Sequence, residues 1–385
     1  MQTIEGIHKQ AMDIAEEAFL AQKRGDLDAA ERLFSEALRL EQNAADQLPL
    51  SKEAEPTRSI LYRSAASLAY NSKDYELADR LIARGLSGFP PKEIEEELKN
   101  LYEDVNFMRH LSAKGMTLDS GQWVMTIAGN AISYGGAAAE FFMPRVDSIS
   151  SLFYRTVERL LKVPYRASGG VSKIIKDAFG LYIKALSPSS FGVAFQIGQP
   201  DREGWLFPEL QQRKLVEPSE IVDEIMRCFE TFESDEPEKL KDQFEDETYY
   251  ENFVGLAKQI APDGNNVKLV GFTTIRKGRE RPLALRKSRK ELRERLEEKE
   301  VGKDDKDKVK ISYTGILMHA NTPLTGKFGT VKLKERESKE TFIIKVPISL
   351  MKDVVQPFYE ERVKIHGYEK EGKKFLEEIG LASES

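Results

Sequence analysis

One cysteine in 385 residues, Cys228, excludes an intramolecular disulfide framework and any zinc site assembled from several thiolates. Four histidines occur, His8, His110, His319 and His366, each alone in its own segment, so no nucleophile-histidine couple is spelled out locally. No stretch approaches the roughly 20 apolar residues that cross a bilayer. The softest, Trp123 to Phe142, is broken by Gly129, Asn130, Gly135, Gly136 and Glu140. The N-terminus lacks the apolar run of a secretory signal. The expected setting is a reducing cytoplasm, with no membrane anchor. Neither charge prevails: 58 basic against 64 acidic residues leave a net charge of -6, too little for a surface given over wholly to nucleic acid or anionic lipid. GxxxxGK[ST], HExxH and GxSxG are all missing. No catalytic residue, metal ligand or cofactor is assigned on this reading.

What is present begins with helical grammar. Arg58 to Pro91 reads as a helix, a turn and a second helix, with Ala66, Ala69, Ala78 and Gly85 where two helices touch, and Tyr62, Tyr70, Tyr75, Leu81, Ile82 and Leu86 between them. Pro90 and Pro91 end the second helix for want of an amide. Ile7 to Leu40 repeats the pattern around Ala18, Ala21, Ala30, Phe34 and Ala37. Ala30 and Ala78 set a repeat offset of 48 residues, longer than the roughly 34 of abutting units. A polar insertion at Gln42 to Thr57 accounts for the excess. Two pairs alone cannot bury their faces, and Lys92 to Ser112, with Ile94, Leu98, Leu101, Val105 and Met108 on one stripe, supplies a capping helix.

These two units resemble tetratricopeptide repeats. The resemblance implies a partner peptide or helix bound along the surface of the first helices of each pair. On this chain that surface carries Ala15, Phe19, Gln22 and Lys23, then Arg63, Ser67, Tyr70 and Asn71. Members that clamp a chaperone's C-terminal carboxylate carry a lysine and an asparagine where this chain has Ala15 and Phe19, which speaks against a chaperone tail. The alternative is that the pairs dock onto the rest of the same protein. The segments EAEPTRSILYRSAA, LFYRTVERLL, YYENFVGLAKQIAPDG and VKLVGF also resemble bacterial, cyanobacterial-type proteins with such repeats at their N-termini; that resemblance brings no activity with it.

The length points to several domains. The expected order is a tetratricopeptide-like helical module at 1–115, an α+β domain at 116–275, a charged helical arm or linker at 276–307, and a small β-rich, barrel-like domain at 308–385. Strands are expected at 122–129, 190–198 and 267–275, helices at 147–163 and 172–185, and an acidic helical section at 218–260. The closing strands are KVKISYTGILMHA, GTVKLKE, TFIIKVPI and ERVKIHGYE, with a short helix MKDVVQPFY and a last apolar run KFLEEIGL.

Three functional readings follow. The first is a scaffold or adaptor that binds a protein partner through Phe19, Gln22, Lys23, Arg63, Ser67, Tyr70 and Asn71. The second is a nucleic-acid-associated regulatory or defence component. Its basis is the C-terminal β domain together with the basic stretch Arg276 to Leu296, above all Arg286, Lys287, Arg289 and Lys290, which lacks aromatics for base stacking and can instead pair with the chain's own acidic section or with a partner. The third is an enzyme built around Tyr154, Arg155 and Glu158, against which stands the plainer view of Arg155 and Glu158 as a surface pair. Cys228, among Met226, Phe229 and acids, is expected to be packed and inert. Oligomeric state is left open by the sequence.

Overall fold

The computed structural model describes residues 3–24, 26–109, 118, 121–130, 132–133, 136–185, 192–198, 216–276, 279–300, 308–323, 326–335 and 340–382. The chain divides into two units, Met1–Thr117 and Leu118–Ser385.

In the first unit, α1 (Ile4–Lys23) pairs with α2 (Leu27–Asp46), α3 (Thr57–Asn71) pairs with α4 (Tyr75–Leu86), and α5 (Lys92–Arg109) packs on α3 and α4. The second helix of each pair starts the same way: Asp26 accepts the Ala29 amide at 3.1 Å, and Asp74 accepts the Leu77 amide at 3.0 Å. Asp26 and Asp74 stand at the same spacing as Ala30 and Ala78, so the repeat is a repeat of caps as well as of packing. Ala66, Ala69 and Ala78 are fully buried, and Gly85 lets α4 approach α5 because a Cβ there would come within 2.9 Å of Leu98. Leu98 and Val105 are the buried part of the α5 stripe. In the insertion, α2 continues to Asp46 and a short turn follows at Lys52–Ala54. The end of the expected cap, His110 to Ser112, lies outside the described residues.

The second unit is β-rich towards its C-terminus. A five-stranded antiparallel sheet runs in the order β4-β5-β1-β6-β7, from β1 (Gln122–Ala128), β4 (Leu181–Ala185), β5 (Gly192–Ile197), β6 (Leu269–Arg276) and β7 (Arg279–Leu285). A small hairpin, β2 (Ile132–Ser133) and β3 (Gly136–Ala137), stands apart from it. Trp123, Met125 and Ile127 point from β1 into the core, joined across the register by Phe195 of β5 and by Phe272 and Val270 of β6. Against that face pack α6 (Ala139–Leu160), α8 (Pro218–Glu233) and α9 (Glu247–Ile260), whose Phe153, Phe229 and Leu256 are fully buried. The short α7 (Lys173–Ala178) precedes β4.

The remaining strands are β8 (Val309–Asn321), β9 (Phe328–Lys334), β10 (Thr341–Pro347), β11 (Arg362–Lys370) and β12 (Lys373–Leu381). They close on themselves in the order β10-β12-β11-β8-β9, with β9 returning to β10. Helical turns at Ile348–Leu350, Met351–Val355 and Gln356–Phe358 link β10 to β11. Their Leu350, Met351, Val354 and Val355 belong to the same buried cluster as Trp123 and Phe153, so sheet layer and closed strands share one core.

Two expectations are corrected. Residues 172–185, read as one helix, are α7 followed by β4: Phe179 and Gly180 end the helix, and LYIKA pairs with β5 from Leu181↔Ile197 to Ala185↔Val193. The first half of the expected charged arm is β7, an edge strand whose residues pair with β6 from Arg276↔Arg279 to Val270↔Leu285. Only α10 (Arg289–Glu300) is helical there, and the charged link at 301–307 lies outside the described residues. The last apolar run, KFLEEIGL, lies in β12.

Candidate functional site

The final turn of α1 exposes Phe19, Leu20, Gln22 and Lys23 together. Phe19 is 47% and Leu20 44% exposed, and the Phe19 ring is held edge-on against buried Phe34 of α2 at 4.9 Å. Its position is therefore fixed by packing while half its surface stays in water. Ala15, one turn earlier, is buried and offers no surface.

The four α3 residues are half-buried and engaged within their own unit. The Arg63 guanidinium lies 2.9 Å from Glu97 of α5, the Asn71 amide donates to the Ser67 carbonyl at 2.9 Å, and the Tyr70 ring meets Tyr75 edge-on at 5.7 Å. Behind this surface is a group that the sequence did not single out. Glu41 of α2 is fully buried and its carboxylate bonds Nδ1 of His8 at 2.9 and 3.0 Å. Burial raises the Glu41 pKa, against the lowering effect of His8, Ser64 and Arg63.

The basic stretch does not form one exposed face. Lys287 donates to the Ser234 carbonyl at 2.6 Å and to that of Glu233, at the C-terminal end of α8. Arg289 donates to the Gln259 carbonyl at 2.7 Å, in the last turn of α9. Arg145 of α6 serves the same helix end, reaching the Ile260 and Ala261 carbonyls at 3.0 and 3.1 Å. Cations at helix C-termini satisfy orphan carbonyls and the macrodipole together. Burial, and then the nearby Arg289, pull the Arg145 pKa down to about 10. Arg281 grips Glu230 of α8 with both carboxylate oxygens, at 2.7 and 2.8 Å, and Arg295 meets Asp235 at 3.1 Å. Of the four cations named for nucleic acid, Arg286 and Lys290 are exposed, Lys290 lying 3.9 Å from Glu294. The basic segment and the acidic section of the same chain thus pair with each other.

Arg155 and Glu158 are corrected outright: at 4% and 2% exposure they are an interior pair, not a surface one. Arg155 Nε donates to Asp353 at 2.7 Å and Nη1 to Glu158 at 3.2 Å, while Arg166 bonds the other Glu158 oxygen at 2.9 Å. Buried Asn252 of α9 donates to the Ser349 carbonyl at 2.7 Å and to Asp353 at 3.1 Å, and the Tyr165 hydroxyl also donates to Ser349 at 2.8 Å. The cluster fastens the helical turns between β10 and β11 to α6 and α9. The sequence signal was present as an Arg-x-x-Glu spacing on one helix, but its third partner is 198 residues from Arg155.

Cys228 is buried, with Glu224 at 3.8 Å and Gln243 at 3.6 Å, and burial pushes its thiol up to about 12. His319 and His366 lie on β8 and β11, and His110 is outside the described residues. Among the described residues no group of three or more His, Cys, Asp or Glu side chains is placed to hold a metal ion. Nor is any described helix long and apolar enough to cross a membrane. Comparison with protein-family models, with curated proteins and with solved structures gave no match.

Proposed function

We propose that this chain is an interaction scaffold, whose N-terminal helical pairs are of tetratricopeptide type and receive a protein partner on the surface that includes the end of α1. The observation that carries the reading is the Phe19–Leu20 turn: two adjacent large apolar residues, 47% and 44% exposed, one of them braced by a buried ring. A rigid aromatic beside polar Gln22 and Lys23 has the make-up of an anchor with a polar rim. Arg63, Ser67, Tyr70 and Asn71 extend the surface with groups already ordered by their own neighbours, so little entropy is lost when a partner lands on them.

The test compares proteins retained by the intact chain with those retained by a Phe19→Glu, Leu20→Glu variant, both after nuclease treatment. Proteins lost from the variant, with its helical circular dichroism unchanged, support the surface. Identical retention by both chains removes it from consideration.

A further inference from the structure

Across the closed strands the register lines up Lys345 of β10, Phe375 of β12, Tyr368 of β11 and Lys310 of β8 in one row. The chain neighbours Ile344, Gly367 and Leu376 are buried, so by alternation this row lies on the outer face. The Phe375 and Tyr368 rings stack at 5.1 Å. Phe328 of β9 stands edge-on to Phe375 at 5.4 Å and is 41% exposed. Lysines lie over both stacked rings: Lys308 is 4.7 Å from the centre of Tyr368, and Lys345 is 5.7 Å from that of Phe375.

The charge around these rings has one sign along three strands. β8, β9 and β10 contain Lys310, Lys332, Lys334 and Lys345 and no carboxylate, in a chain whose acidic residues outnumber its basic ones. Lys332 and Lys334 alternate along β9 with buried Val331 and Leu333, which sets them on the outer face too. Ile343, opposite Lys332 and 60% exposed, adds apolar surface among them. β11 and β12 bring three acids. Glu369 lies 3.4 Å from Lys374, Glu378 lies 3.2 Å from Arg293, and Glu377 lines a cleft against α10.

We propose that this outer face binds single-stranded nucleic acid, with bases on the rings of Phe328, Phe375 and Tyr368 and phosphates on Lys310, Lys332, Lys334 and Lys345. Rings interleaved with lysines match a polymer that alternates flat bases with negative charge. A lysine over an exposed ring is held less strongly than a base stacked on one, so an arriving base moves Lys308 and Lys345 onto neighbouring phosphates. A duplex keeps its base faces hidden and can use the lysines alone. An anionic bilayer likewise draws on the lysines but has nothing to stack. The basic stretch Arg276 to Leu296 has charge without aromatics and uses Lys287 and Arg289 at helix ends, whereas the closed strands hold charge and rings together.

Titrating a dye-labelled oligothymidine of about 16 nucleotides with the full chain at low salt, followed by fluorescence anisotropy, tests this. The expected result is saturable binding that falls steeply with salt, and a duplex of equal length bound at least about ten-fold more weakly. Phe328→Ala is expected to weaken the single strand about ten-fold and to leave the salt slope as it was. Lys332→Gln, Lys334→Gln and Lys345→Gln combined are expected to flatten the slope of log affinity against log salt by about 2, at roughly 0.7 per phosphate. The lysine variant carries the test if Phe328→Ala does not fold. Arg286→Gln with Lys290→Gln is expected to change neither affinity nor slope. Absence of binding at low salt overturns the proposal, and so does equal affinity for the duplex. Binding that survives both strand variants, or that is lost only with Arg286 and Lys290, overturns it as well. Capture of phosphatidylserine vesicles without the oligonucleotide overturns it in favour of a membrane surface. The scaffold reading is tested separately, at Phe19 and Leu20 of the other unit.

Discussion

At Cys228 the sequence and the structure agree on chemistry for the same reason. Along α8 it sits between Arg227 and Phe229, folding brings Glu224, Gln243 and Arg159 within 4 Å, and the exclusion of water outweighs the two nearby arginines. With its pKa pushed up to about 12 by burial, the thiol stays protonated at pH 8. A disulfide-exchange reagent is expected to leave the native chain unlabelled and to titrate one thiol once urea unfolds it; prompt native labelling contradicts this placement. Glu41 is the opposite case, illegible in advance because nothing in LRLEQN marks a glutamate as interior. Burial raises its folded pKa above the ordinary 4.5, so the folded chain holds this proton more tightly than the unfolded one. The stability it contributes is full below 4.5 and falls as pH rises towards the higher folded value. Hydrogen exchange of the α1 and α2 amides is expected to speed up over that interval in wild type and to change less in Glu41→Gln. Parallel profiles for the two chains contradict it.

Among the elements, helices with a one-sided apolar stripe were legible and the cations that close their C-terminal ends were not. The stripe in α8 and the small-residue contacts in α3 and α4 are local patterns that survive folding unchanged. The error at 276–307 came from reading charge density as helix and solvent: thirteen basic residues in that stretch look like an exposed arm until their partners are known. Those partners are the C-terminal carbonyls of α8 and α9 and the carboxylates of the acidic section, all distant in sequence. Arg145 shows how much such a contact is worth. Nearly all of it is buried, and its fork serves carbonyls of both α6 and α9. Arg145→Lys keeps a cation but cannot reach the separated acceptors, leaving interior carbonyls unpaired at about 1–3 kcal/mol each. A loss on the order of 3 kcal/mol in urea unfolding followed by tryptophan emission is expected. A loss below about 1 kcal/mol would mean that the carbonyls find other donors.

For the whole molecule, the change from helical period to strand period near residue 115 was visible in the sequence, and the two units divide at Thr117 and Leu118. A second boundary, expected at 308, has no counterpart in how the second unit is packed. Strand-rich segments after 308 look self-sufficient in sequence because their turns and alternation are local. Their helical turns, however, send Leu350, Met351 and Val355 into the core that also holds Trp123, Phe153 and Phe229. Asp353 and Ser349 complete the polar partners of Arg155 and Asn252. Cutting the chain after residue 307 therefore removes one wall of the sheet's core and leaves Arg155 with Glu158 alone among its two carboxylate partners. Breaking a buried ion pair from one side costs roughly 3–5 kcal/mol, and opening the apolar core adds to it. That is comparable to the whole stability of a typical domain. The truncated chain is expected to lose the near-ultraviolet dichroism of Trp123 and to bind a hydrophobic dye, while the helical signal of the first unit persists. A truncated chain that keeps a sharp tryptophan signal and a cooperative melt would show that the sheet layer stands without the closed strands.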